Sequence, residues 1–130
     1  MSKWIDRALI ISPVYYTLCT DEKDFYKQLK KINMPVSEQP EFNVNGAGAT
    51  THTFVGADRE GYAIVCVPIR KDVTSSEMAA MIAHEAVHVF QYILKLMGED
   101  NPSIEFEAYS IQMITLQLLS EYERQKKGVK

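Results

Sequence analysis

Cysteine is scarce in this sequence: Cys19 and Cys66 are the only two in 130 residues, too few for a disulfide framework. No stretch approaches the roughly 18 apolar residues that a membrane span requires. The apolar run Ala8 to Ile11 is short and meets Ser12-Pro13. The opening Met-Ser-Lys-Trp-Ile-Asp puts an acid where a secretory signal would be apolar. These absences lead us to expect a cytoplasmic protein with reduced thiols and no membrane contact. An excess of positive charge is missing too: 14 Lys and Arg stand against 17 Asp and Glu, for a net charge of −3. The short basic stretches, Lys30-Lys31 and Arg124 to Lys130, contain no interleaved aromatics and read as solvated ends. Nucleic acid is therefore not an expected partner. Internal repeats and low-complexity segments are absent.

What is present is ordinary globular composition, 46% hydrophobic and 24% charged, at a length that suits a single domain spanning residues 1–130. A β-rich segment interrupted by Pro13 predicts a strand at Val14 to Cys19. The acids Asp21, Glu22 and Asp24 then open a helix to about Ile32, with Phe25, Leu29 and Ile32 on one face. Asn33 to Thr50 holds prolines, glycines and asparagines without period and reads as a long loop. Thr51 to Ala57 and Tyr62 to Ile69 predict a hairpin, with Gly61 at the left-handed turn position. Thr74-Ser75-Ser76-Glu77 fits a capping box, opening a helix from Ser75 to Met97 that Gly98 stops. Asn101-Pro102 reads as cap and first residue of a last helix, which runs to about Gln125 before residues 124–130 fray as a charged tail. The expected fold is α+β: a small, mostly antiparallel sheet packed on two long C-terminal helices, in the order β-α-β-β-α-α.

The longer helix carries His84-Glu85-Ala86-Val87-His88, the HExxH pattern. Residues four apart on a helix differ by about 40° in direction and share a face, so both imidazoles can reach one ion at about 2.0–2.1 Å. Glu85 sits to the side, where it can take a proton from a water that zinc has acidified toward a pKa of about 7. A plain polar stripe through Glu77, His84, His88, Gln91 and Lys95 is the competing reading. The helix around it is otherwise apolar, through residues such as Ile82, Val89 and Ile93, which places it in the core. One zinc ion per chain is the expectation.

A catalytic zinc site takes three protein ligands and keeps one position open. On the last helix Glu107 falls on the stripe of Ile111, Ile114 and Leu118, whereas Glu105 points the opposite way. A carboxylate on a core-facing stripe must be neutralised, paired or bound to metal. Glu107 is the chosen third ligand, with an ion pair to Lys95 or Arg70 as the alternative.

The arrangement of His84-Glu85-Ala86-Val87-His88, an eighteen-residue spacer and Glu107-Ala108-Tyr109-Ser110 resembles the gluzincin metallopeptidases. It is most similar to the compact minigluzincins and to small metallopeptidase-like proteins encoded by phages. The likeness covers roughly Thr74 to Ser120. It implies zinc ligation by His84, His88 and Glu107, with Glu85 as general base of a peptidase acting on a peptide or protein. Two positions depart from the pattern: Phe106 stands where many gluzincins have Asn, and Ile111 where the best-known have an Asp that supports a zinc histidine. Lost support of that kind weakens such sites, and it motivates a second expectation, a non-catalytic zinc-binding regulatory or interaction module.

The resemblance further suggests a substrate extended along an edge strand, with Tyr62 to Ile69 as the candidate edge. His52, Tyr62, Tyr92 and Tyr109 have the chemistry to stabilise an oxyanion or touch substrate, and spacing does not choose among them. Cys66, set among apolar neighbours, reads as core rather than as a ligand.

Overall fold

The computed structural model describes residues 1–5, 11–44 and 47–128. Ala8 to Ile10 of the N-terminal apolar run, Asn45 and Gly46 of the long loop, and Val129 and Lys130 of the tail lie outside the described residues. Regular structure follows the expected order: β1 (Val14–Cys19), α1 (Glu22–Lys31), β2 (Thr50–Val55), β3 (Gly61–Cys66), α2 (Ser75–Met97) and α3 (Ile104–Lys127). A short 3-10 turn at Val36–Glu38 breaks the long loop.

Local chemistry explains most of the boundaries. Asp21 caps α1 by accepting the Asp24 amide at 2.8 Å. The capping box of α2 is complete: Thr74 accepts the Glu77 amide and Glu77 accepts the Thr74 amide. Gly98 ends that helix at φ 70°, ψ 28°, the left-handed conformation that glycine adopts without a steric penalty. The start of α3 differs from expectation. Ser103, not Asn101, is the cap, because its hydroxyl reaches the Phe106 amide at 3.3 Å. Pro102 therefore lies outside the helix, and the helix also runs two residues past Gln125.

The sheet is mixed, in the order β1-β3-β2. β1 pairs parallel to β3, and β2 pairs antiparallel to it. Only one of the two pairings is therefore antiparallel, and β3 is the central strand rather than an edge. Composition gives the physical reason: Ala63 to Val67 are all buried, as befits a strand covered on both faces. The strand stops at Cys66, short of Pro68, with one further bond from the Val67 amide to the Cys19 carbonyl at 2.9 Å. At the hairpin, the left-handed residue is Arg59 (φ 67°), not Gly61. Gly61 is required for another reason: a Cβ there would meet the Pro13 carbonyl at 3.1 Å and the Leu96 side chain at 2.3 Å.

Alternation along β3 divides the core in two. Ala63, Val65 and Val67 face α2 and α3, packing with Ile82, Ala86, Val89, Ile114 and Leu118. Ile64 and Cys66 face the other way and pack with Phe25 and Leu29 of α1. Burying each such large side chain contributes about 1.5–3 kcal/mol, so the sheet is held from both sides. Among the described residues no helix is long and apolar enough to cross a membrane.

Candidate metal centre

Helix α2 shows one face to the core and another to a cleft beside β2. His84 and His88 are exposed and His88 lines the cleft, whereas Glu85, between them in sequence, is buried at 6% exposure. The two imidazoles stand edge to face, with ring centroids 4.9 Å apart and planes at 76°. Their Nε2 atoms are 3.2 Å apart. Two nitrogens bound to one tetrahedral zinc at 2.0–2.1 Å stand about 3.3–3.4 Å apart, so the separation of this pair is close to that of two ligands on one such ion.

His88 Nδ1 lies 3.0 Å from the Gln91 side-chain oxygen, an acceptor. An oxygen partner there favours the tautomer with the proton on Nδ1 and with Nε2 free to bind a metal. Gln91 thus holds His88 in the form a metal would need. Sequence reasoning missed this role; the available signal is an amide three residues after a ligand histidine.

Glu85 turns toward the sheet. Thr51 Oγ1 of β2 donates to its Oε2 at 2.5 Å, which stabilises a charge that burial would otherwise penalise. A second bond links the same two elements further along: the Tyr92 hydroxyl donates to the Phe54 carbonyl at 2.8 Å. Three strand residues advance about 10 Å and seven helical residues about 10.5 Å. The two bonds therefore fix β2 alongside α2, running in the same direction. Among the described residues β2 has one neighbour in the sheet, so its other edge is free. The cleft between β2 and α2 has a volume of about 620 Å³, and Thr51, Thr53, Glu85, His88, Tyr92 and Lys95 all contribute to its lining.

His84, Glu85 and His88 form a group whose ligand atoms all lie within 4.8 Å of one another. This is a possible metal site on a single helix, built from residues with HExxH spacing. No family model, curated protein or solved structure matches the chain. The site is thus read from its own geometry.

Glu107 does not join that group. It is exposed in the first turn of α3, so the expectation of an inward-facing carboxylate is corrected. The stripe it belongs to becomes buried only from Ile114 onward. Nearer the start of α3 it is Phe106 that meets α2, with its ring 6.0 Å from Phe90. Neither Lys95 nor Arg70 pairs with Glu107; among the described residues the one ion pair joins Arg124 to Glu121.

The four residues considered for oxyanion or substrate contact separate by the faces they occupy. His52 alternates away from Thr51, lies 9% exposed among Phe25 and Phe54, and has Nε2 3.2 Å from the Phe42 carbonyl. Tyr62 bonds the Asp58 carboxylate at 2.5 Å, which pushes its pKa up to about 12, and it stacks on Tyr15. Tyr109 lines a separate apolar groove with Phe106 and Met113. Tyr92 alone lies in the cleft, with its pKa raised by burial. Cys66 is fully buried in the cluster under α1 and is no part of the metal group.

Proposed function

We propose that this protein is a zinc-dependent peptidase in which His84 and His88 hold the ion and Glu85 is the general base. The observation that carries the reading is the 3.2 Å separation of the two Nε2 atoms with the Glu85 carboxylate beside them. When bound, zinc acidifies a water toward a pKa of about 7 and polarises a carbonyl. The chain's own residues supply the rest. Glu85 has one oxygen engaged by Thr51, leaving the other to accept a proton from water and pass it to the leaving amine. Gln91 fixes the His88 tautomer. The free edge of β2 offers backbone groups for an extended peptide by strand addition. Tyr92 lines the same cleft and, through its bond to the Phe54 carbonyl, holds β2 against α2.

A second reading is a non-catalytic zinc-binding module, favoured by the fact that the donor group lies on one helix without Glu107. There Glu85 would itself be a ligand. One experiment separates the two. The Glu85→Gln variant of a peptidase keeps zinc near one ion per chain and loses turnover of a mixed peptide library by about 10²-fold or more. In a structural site the same variant loses zinc, and the wild type shows no turnover to lose.

A further inference from the structure

The cleft carries a charge asymmetry that the zinc chemistry does not use. Lys95 lines it seven residues after His88. Seven residues are two helical turns with a residual rotation of about 20° and a rise of about 10.5 Å, so Lys95 shares the face of the imidazoles at the other end of the cleft. It is the one Lys or Arg in the lining, and among the described residues no carboxylate pairs with it. Glu85 supplies the opposite charge at the histidine end. A position in the last turn of α2 suits a cation on account of the helix dipole, but the dipole is indifferent to which side of the helix carries it.

From this we infer that Lys95 selects peptides with an acidic side chain about three residues before the position presented to His88. The inference rests on the peptidase reading for its choice of an extended peptide as ligand. A peptide added to the free edge of β2 rises about 3.3–3.4 Å per residue, so about 10.5 Å corresponds to about three residues. Antiparallel addition is the stabler pairing. Because β2 and α2 run in the same direction, an antiparallel peptide runs against α2, with its N-terminal side toward Lys95. Lys95 attracts an acid at the far end of the cleft, so a peptide that carries one on its N-terminal side is favoured in the antiparallel polarity.

The test measures binding rather than turnover, using zinc-loaded Glu85→Gln protein and fluorescein-labelled octapeptides read by anisotropy. The peptide with Asp three residues before the central bond is expected to bind about three- to tenfold tighter than its Asn counterpart. Lys95→Met abolishes that difference, and Lys95→Glu transfers the preference to a Lys-containing peptide. Lys95 is exposed, so neither change disturbs packing, and unchanged thermal melts of both variants verify this. Equal affinity for the Asp and Asn peptides, or a preference that survives Lys95→Met, overturns the inference. A preference for Asp on the C-terminal side overturns the assigned polarity. Lys95-dependent binding without turnover in the wild type sinks only the hydrolytic reading, whereas turnover without it sinks only the role of Lys95.

Discussion

The Thr51 hydroxyl donates to the Glu85 carboxylate at 2.5 Å across the junction of β2 and α2. This bond is the chief reason an acid can sit at 6% exposure on an otherwise apolar helix face. Removing the partner of a buried acceptor costs about 1–3 kcal/mol, and more where the acceptor is charged, because the group is left without a donor. Thr51→Val keeps the shape and deletes the hydroxyl, so a stability loss of that size is expected in urea titration. Thr51→Ser restores most of it. Equal midpoints for all three proteins would show that water serves Glu85 as well as Thr51 does.

Gln91 stands to His88 as outer ligands stand to metal-binding histidines elsewhere, fixing the ring and its proton. Gln91→Ala should therefore weaken zinc binding by about 10–100-fold in competition with a chromophoric chelator. Gln91→Glu, which keeps the acceptor, should recover it. Gln91 is exposed, so a fall in affinity with an unchanged melting temperature isolates its effect on the ring.

What can be read in the sequence follows the range of the signal. Both ends of α2 rest on chemistry within four residues, the capping box at Thr74 and the left-handed Gly98, and both are legible. The start of α3 is misread by two residues because Asn101-Pro102 and Ser103 are rival caps in succession. Strand order is a long-range property, and the hairpin alone does not identify which of its strands gains a second neighbour. A hint exists in the uninterrupted apolar run Ala63 to Val67 beside the Thr-rich β2. The histidine pair is legible because helical periodicity alone brings His84 to His88. Glu107 falls on the right stripe, but periodicity gives direction around an axis and not the depth at which a helix meets its neighbour. His52 and Thr51 illustrate the same limit in a strand, where one residue of register decides which face a side chain joins.

Both thiols should be inert in the native protein. Burial pushes the Cys19 and Cys66 pKa values well up, with Asp24 adding to the effect at Cys19 and the neighbouring Cys19 at Cys66. A raised pKa means less thiolate at any given pH, and the thiolate is the reactive form. With a thiol-reactive chromogen at about pH 8, no more than a trace should titrate before guanidinium is added, and both thiols afterwards. Rapid labelling of either thiol in the native state would show that the cluster under α1 opens readily.

Gly98 sits at φ 70°, and a Cβ added to it would meet nothing within 4 Å. Substitution there tests backbone strain alone, without a clash. Gly98→Ala should lower stability by about 1–2 kcal/mol, the penalty for an L-residue in the left-handed region. Gly98→Asn, which tolerates that region better, should lose less. An alanine variant as stable as wild type would mean that the end of α2 rearranges.

Zinc should behave as a stabilising ligand, because only the folded chain brings His84 and His88 together on one helical turn. A ligand that binds the native state alone adds about 2.7 kcal/mol at a roughly hundredfold excess over its dissociation constant. For a chain of this size that corresponds to a rise of about 10 °C in melting temperature. Chelation should reverse the rise, and His88→Ala should abolish it while leaving the metal-free melting temperature within about 2 °C, since the ring is exposed. A zinc-induced shift of the same size in His88→Ala would locate the ion elsewhere on the molecule and remove the basis for assigning Glu85 a catalytic role.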